Sequence, residues 1–345
     1  MDPIVLWQHK WGLTFHIPWY LFLGGLAGGT MTVAALADLL AQALPGPRER
    51  LRSFSKAAAY VTVPAILIGG LSLTFHLGKP ERGLAFPLFF TNYQSWMTIG
   101  GWILGAFAPF SIAYAATWYL NLGGALRTTL AALGAPLGLL MSLYTGFLLS
   151  AAWVVPGDRW YVPLWDNRYL PVLFVLSGIS TAIAASGLWL LVSGRLRASP
   201  GGDRARDEQW AVADAASITD AAAIIAEGAW VYIFLASLGV GTAGQQMAFK
   251  LVTHGDLAAW FWWGFVATGL ALPLLVSAIH TLGERLFHAQ VRWVLYVKFV
   301  LVLVGGLMLR YIVVWGGDLK APLNFPPSMW PVPGIGGPPI PGLGG

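Results

Sequence analysis

The sequence predicts an all-α integral membrane protein of eight transmembrane helices, and three observations carry that reading. Of its 345 residues, 57% are hydrophobic and only 10% charged, whereas a soluble domain carries roughly 25% charged residues. Such a chain has too little charge to wet a globular surface. Eight successive runs reach about 20 mostly apolar residues, the length that crosses the hydrocarbon core. Gly, at 42, and Trp, at 18, suit close helix contacts and interfacial aromatic belts.

The runs fall at 17–43, 56–78, 96–120, 126–152, 168–193, 217–240, 258–281 and 291–315. Pro45, Pro47, Pro156, Pro200 and Gly201 punctuate the connections as helix stops do. Residues 1–16 are expected as an outer N-terminal segment and 17–315 as the membrane domain, arranged as two four-helix bundles. Residues 316–345 form an outer tail, Pro/Gly-rich from Pro322 onward, that cannot continue as regular helix. It is expected to lie extended over a neighbouring subunit or to be mobile.

Eight crossings put both termini on one side. Arg48, Arg50, Arg52, Lys56, Arg127, Arg195, Arg197, Arg204, Arg206, Arg285 and Arg292 load the odd-numbered connections. The positive-inside rule then places both termini outside. Lys10 is followed by a full-length span rather than a short apolar core, so no cleavable signal is expected. The location expected is the cytoplasmic membrane of a bacterium or archaeon. Connections 79–95, 153–167 and 241–257 are long and aromatic on the outer side, a surface suited to docking a large partner. The basic residues follow topology, and no nucleic-acid partner is expected.

Cysteine is absent, which removes disulfides, thiolate nucleophiles, zinc–thiolate sites and iron–sulfur ligation from this protein. Any electrons that cross it must sit on a partner's cofactors or on a mobile carrier. Six histidines raise the question of haem, which needs two ligands at matched depth. His16 and His76 share a side and a depth, both at the outer rim, where histidines are more often interfacial. No metal site is expected.

Gly24–Thr30 (GGLAGGT) lies inside an apolar run with no Gly-Lys-Ser/Thr after it, so it reads as a packing face and not as a phosphate loop. Gly239–Gly244 matches GxGxxG formally but lacks a preceding strand and a βαβ unit. Tyr20–Thr30 and Tyr232–Thr242 share six of eleven residues, which fits either a trace of duplication as an inverted repeat or, the reading favoured, chance among small and aliphatic residues.

Ionisable side chains inside a bilayer are costly and therefore informative. Glu227 is nearest the middle of a run, while Asp38, Lys298 and Arg310 lie closer to run ends. For the last three, snorkelling or interhelical pairing is expected. Glu227 cannot snorkel easily and suits proton handling or pocket lining, with Asp38 as a second group on a proton path.

Two-electron, two-proton chemistry on a quinone needs an apolar slot and neutral donors for the carbonyl oxygens. Tyr, His and Asn donate without burying a permanent charge. Such groups gather at the outer half: His16 and Tyr20 on the first run, His76 closing the second, Asn92 between the second and third, and Tyr144 on the fourth. The same groups suit an interfacial aromatic belt, and the residues alone leave both readings open.

The order of Tyr20–Gly29 (YLFLGGLAGG), His76–Arg82 (HLGKPER), Asn92–Met97 (NYQSWM) and Tyr144–Gly146 (YTG) resembles the polysulfide-reductase membrane-subunit (NrfD-like) family. The resemblance spans residues 16–315 at the level of span count and is most specific over the first four runs. It implies a quinone-reactive anchor without haem, using menaquinone or ubiquinone. It further implies docking of a multi-cluster, ferredoxin-like iron–sulfur subunit, which wires it to a molybdenum- or tungsten-pterin catalytic subunit. Carried over by position, Tyr144, Tyr20 and His16 are the reactive donors, with His76, Asn92 and Ser95 lining the quinone pocket. Some relatives have His where Tyr20 stands, and the Pro/Gly tail departs from the family pattern. The alternatives are a haem-b electron-transfer anchor and a solute transporter whose helices break at Pro64, Pro136 and Pro273.

Overall fold

The computed structural model describes residues 16–44, 46–76, 92–93, 95–150, 154–155, 159–160, 162–196, 203–287 and 293–318. The first span, α1, is His16–Ala43. It is followed by α2 (Arg48–His76), α3 (Trp96–Tyr119) and α4 (Gly124–Ser150). Then come α5 (Leu170–Leu196) and α6 (Asp203–Gly239), and after a short helix α7 (Ala243–Thr253) the seventh span, α8. Span α8 is π-helical over Trp260–Ala271 and α-helical over Leu272–Phe287, and α9 (Trp293–Asp318) is the eighth. Eight of the described helices are long and apolar enough to cross a membrane, as the composition predicts. The Pro/Gly tail and most of connection 79–95 lie outside the described residues.

A helix apolar on all sides belongs in the interior, and α1 is that helix. Its most apolar stretch is 89% buried, against 28% for the sixth and seventh spans. It packs on α2, α4, α5 and α9. Leu67, Ile68, Leu71, Phe75, Trp102, Leu133, Leu140, Ile225 and Ile279 instead project outward from their helices as a lipid-facing belt.

The Gly24–Thr30 run makes this central position possible. A Cβ on Gly28 would sit 2.5 Å from the Gly138 carbonyl oxygen of α4, and one on Gly29 would sit closer still to that of Gly178 on α5. Backbones this close admit no side chain, which is how small residues drive helix association in lipid. Ser142 Oγ donates to Gly25 O at 3.2 Å, and Thr62 Oγ1 donates to Thr30 Oγ1 at 2.9 Å, tying α4 and α2 to the same helix.

Prolines do not break the spans. Helices α2, α3 and α4 run through Pro64, Pro109 and Pro136. In α8, Pro273 follows the π-helical stretch, where the Leu272 N–H reaches back to Ala267 O. A proline ring presses on the carbonyl four residues earlier. That residue is Gly269, whose added Cβ would meet Gly305 Cα of α9 at 2.7 Å. The wider π turn thus relieves the proline while α8 and α9 touch backbone to backbone.

Three helices extend past the apolar runs that announce them. Helix α2 begins at Arg48, α6 at Asp203, and α8 ends at Phe287. Arg, Glu, Gln and Ala are strong helix formers, so charged ends project from the membrane as helix and not as loop. Helix α7 occupies part of the expected 241–257 connection, and the GxGxxG segment proves to be its cap. Thr242 accepts from the Gln245 N–H, and Gln245 answers to the Thr242 N–H, a reciprocal capping box. Val154–Val155 and Arg159–Trp160 form a two-residue antiparallel ladder in the 153–167 connection.

Gly29→Ala is expected to lower stability by about 1–3 kcal/mol through overpacking, read as a lower thermal midpoint of the purified protein in detergent. Gly70→Ala, where an added Cβ meets nothing within 4 Å, should leave that midpoint unchanged.

Candidate functional site

Alternating spans define two faces, a near face where α1 begins and a far face where it ends. Near the first face, Tyr20 on α1 and Tyr144 on α4 turn their phenols toward each other. Tyr20 is 0% and Tyr144 3% exposed. Gly100 of α3 lies flat against the Tyr144 ring, and its missing side chain leaves the space the ring occupies. Met141 and Thr145 close on Gly24, one turn further along α1. The Tyr20 hydroxyl is buried without a hydrogen-bond partner of good geometry among the described residues, and so is Thr98 Oγ1 on α3. A buried phenol without a partner costs about 1–3 kcal/mol. Trp96 stacked on Phe147 at 4.4 Å shuts the α3–α4 seam beside them.

The other residues expected near this site lie around its rim. His16 opens α1 and is half-buried one turn before Tyr20. His76 ends α2, with its side chain outside the described residues. Ser95 precedes α3 half-buried, its N–H bonded to Asn92 O at 3.0 Å, and Asn92 is exposed. Structure therefore joins Tyr20 to Tyr144 directly and leaves Asn92 and Ser95 ahead of α3 at the near face. Among the described residues no three of His, Cys, Asp or Glu come together as a metal cluster.

Asp38 occupies a different region. It is buried near the far face, and Arg127 of α4 donates from Nε to Asp38 Oδ2 at 3.2 Å. The guanidinium also lies over the Trp118 ring at 4.1 Å. Nearby, Ser55 and Tyr114 hydroxyls meet at 2.9 Å, linking α2 and α3. Of the two outcomes expected for Asp38, interhelical pairing is the one observed.

Glu227, Lys298 and Arg310 converge elsewhere, between α5, α6 and α9. Arg310 donates to Ser177 Oγ at 2.8 Å and to Phe174 O at 3.2 Å, and it faces Glu227. Lys298 pairs with Asp220 at 3.1 Å, both fully buried. Neither base snorkels: Lys298 is held by Asp220 of α6, and Arg310 by Ser177 and the Phe174 carbonyl of α5.

Comparison with known proteins follows from this geometry. The family described as Polysulphide reductase, NrfD matches residues 7–321. The protein belongs to that family. It is 26% identical to a polysulfide reductase subunit of Wolinella succinogenes over 317 residues, 87% of its own length and 92% of that protein's. It is 27% identical to protein NrfD of Escherichia coli over 326 residues, again 87% of its own length and 93% of that protein's. A protein NrfD homolog of Haemophilus influenzae is 27% identical over 183 residues, covering 53% and 50%. Membership agrees with a multi-pass membrane subunit of a respiratory oxidoreductase.

In this NrfD-family protein, sequence reasoning missed Asp214, Asp220, Ser180, Ser217 and His280 as members of a polar network between α5, α6, α8 and α9. The signal existed. Asp214, Ser217, Asp220 and Glu227 recur on α6 at steps of three, three and seven, which is one helix face. The faint likeness of Tyr232–Thr242 to Tyr20–Thr30 does not extend to environment, since Tyr232 is 74% exposed.

Removing Arg127 leaves Asp38 buried and charged. Arg127→Ala is expected to cost about 3–5 kcal/mol, and Asp38→Asn placed on top should return most of the lost thermal midpoint. A double-mutant cycle without coupling would mark the contact as incidental.

Proposed function

We propose that this NrfD-family subunit passes electrons between a partner's iron–sulfur clusters and a membrane quinone or quinol bound at the near-face end of α1, α3 and α4. The observation that carries the reading is the Tyr20 hydroxyl, buried beside the Tyr144 phenol without a hydrogen-bond partner of good geometry among the described residues. An uncharged donor in an apolar setting suits a carbonyl oxygen, which accepts a hydrogen bond and bears no charge to desolvate. A quinone supplies two-electron, two-proton chemistry when bound there. The donor chemistry of these residues suits such a ring, whether menaquinone or ubiquinone.

Within this reading Tyr20 and Tyr144 would hold the ring by hydrogen bonds from their phenols, and Tyr144 would serve as a proton donor to it. Gly100 lets the Tyr144 phenol lie where it does, and any larger residue would displace it. His16, Asn92 and Ser95, which lie at the near-face ends of α1 and α3, would line the entrance, and the family resemblance assigns His76 the same role. The phenols are shut off from lipid as they stand, so admission of a ring requires α3 and α4 to part at the Trp96–Phe147 stack.

The Wolinella relative is by its printed name one subunit of polysulfide reductase, which supports a multi-subunit setting. The partners proposed are a multi-cluster, ferredoxin-like iron–sulfur subunit and a molybdenum- or tungsten-pterin catalytic subunit. They would dock on the near face, which by the positive-inside rule is the outer one and carries both termini. Segments 1–16 and 316–345 would then belong to that docking surface.

Tyr144→Phe is expected to lower quinone-coupled turnover of the assembled complex by roughly 10- to 100-fold, while turnover with an artificial dye that bypasses the membrane is unchanged. Equal loss of both activities would make Tyr144 a structural residue and remove this reading.

A further inference from the structure

Three of the four bases on α2 stand on one side of the helix. Arg48, Arg52, Lys56 and Tyr60 recur at steps of four, and Leu67 and Leu71 follow at steps of seven and four. These spacings keep all six on the same side over about 35 Å. Arg48 and Arg52 belong to the charged end that α2 carries at the far face, while Leu67 and Leu71 belong to the lipid-facing belt. From the far face inward the stripe therefore runs base, phenol, aliphatic. A phospholipid has the same order of polarity from headgroup to chain.

Neighbouring helices fix where this stripe points. Ser55, three residues on from Arg52, meets the Tyr114 hydroxyl of α3 at 2.9 Å. Ala57 packs instead with Leu190 of α5 and Val212 of α6, on a side turned away from Arg52. The stripe thus borders the seam between α2 and α3. Gly70 lies along the same border, and a Cβ added there would meet nothing within 4 Å. The surface stays shallow where a chain would lie.

Two features separate these bases from residues that merely snorkel toward water. Arg52 Nε is buried with no hydrogen-bond partner among the described residues, although the side chain as a whole is 29% exposed. A buried donor without an acceptor is costly, and a bound oxyanion removes that cost with a charge-assisted bond. The carboxylate beside it, Glu49, lies 3.7 Å from Nη1 and is 85% exposed, a contact worth little in water. The second feature is Lys56, whose Nζ sits over the Tyr60 ring at 5.9 Å. That contact draws the ammonium toward the membrane, where snorkelling would carry it the other way. Arg50 is exposed and points off a different side of α2. Arg127 is already taken by Asp38 and the Trp118 ring.

We propose that this side of α2 binds one anionic phospholipid, its phosphate held between Arg52 and Lys56 and its acyl chain laid along Leu67, Gly70 and Leu71. Arg52 and Lys56 are about 6 Å apart along the helix axis, so one phosphate is within reach of both. Arg48 stands beside the headgroup. A soluble anion would use the bases alone, whereas a lipid also uses the apolar half of the stripe. The positive-inside rule makes the far face the cytoplasmic one, where basic groups between helices meet acidic headgroups.

The test uses the whole complex, purified in mild detergent, stripped of lipid and given phospholipid back, with bound copies counted by native mass spectrometry. Dioleoylphosphatidylglycerol is expected to bind roughly tenfold more tightly than dioleoylphosphatidylcholine. Arg52→Gln and Lys56→Gln should each weaken phosphatidylglycerol by roughly fivefold and leave phosphatidylcholine unchanged. Arg50→Gln removes the same charge from another side of α2 and should leave both lipids unchanged. Equal loss in Arg50→Gln would reduce the effect to surface charge and overturn the site, as would equal affinity for the two lipids. Displacement of phosphatidylglycerol by millimolar glycerol 3-phosphate would mark a soluble-phosphate site and overturn the lipid assignment. Should Arg52→Gln not assemble, Lys56→Gln against Arg50→Gln decides on the same readout.

Discussion

The closeness of α1 to its neighbours sets everything else. In lipid there is no hydrophobic gain from bringing two apolar helices together, so contact must come from packing and hydrogen bonds between near-touching backbones. Gly28 against Gly138 and Gly29 against Gly178 supply that contact. Because α1 can be surrounded, its Tyr20 meets Tyr144 of α4 on one side, while Gly25 admits the Arg310 guanidinium of α9 on another. A helix with ordinary side chains at these positions would hold the two groups apart. One small-residue face therefore fixes both the phenol pair and the Arg310 end of the polar network.

The second constraint is charge in hydrocarbon. Lys298 and Arg310 are fully buried; Lys298 pairs with Asp220 of α6, and Arg310 faces Glu227 of α6. The matching organises three helices at once, because Ser177 and Ser180 of α5 bond into the same two pairs. Asp38 and Arg127 repeat the device near the far face, there with the Trp118 ring beneath the guanidinium. Charges placed this way specify which helix stands beside which, even where they add little net stability.

The π-helical stretch of α8 shows backbone geometry serving packing. Pro273 requires relief at Gly269, and Gly269 is also where α8 meets Gly305 of α9. An unbroken helix with a widened turn meets both demands, and it holds Ser277 and His280 on the side facing α6. The seventh span thus contributes to the polar network although no charged residue lies in its apolar part.

The span count, the all-helical class and the inward role of Gly24–Thr30 were legible because a bilayer accepts few solutions: long apolar runs must be helices, and glycines inside them must touch something. Tyr20, Tyr144 and Glu227 stood out for the same reason, as polar groups in apolar surroundings. Asp214, Asp220 and His280 did not stand out, because near the ends of runs they look like ordinary interfacial residues. The charged helical ends of α2 and α6 escaped hydropathy because they carry helix propensity without apolar character. Which carboxylate answers which base, and that Asp38 stands apart from Glu227, depended on helix order and rotation around α1. Those are set by contacts between residues from about thirty to more than a hundred positions apart, so composition and spacing determined what had to be buried, and only the tertiary packing decided beside what.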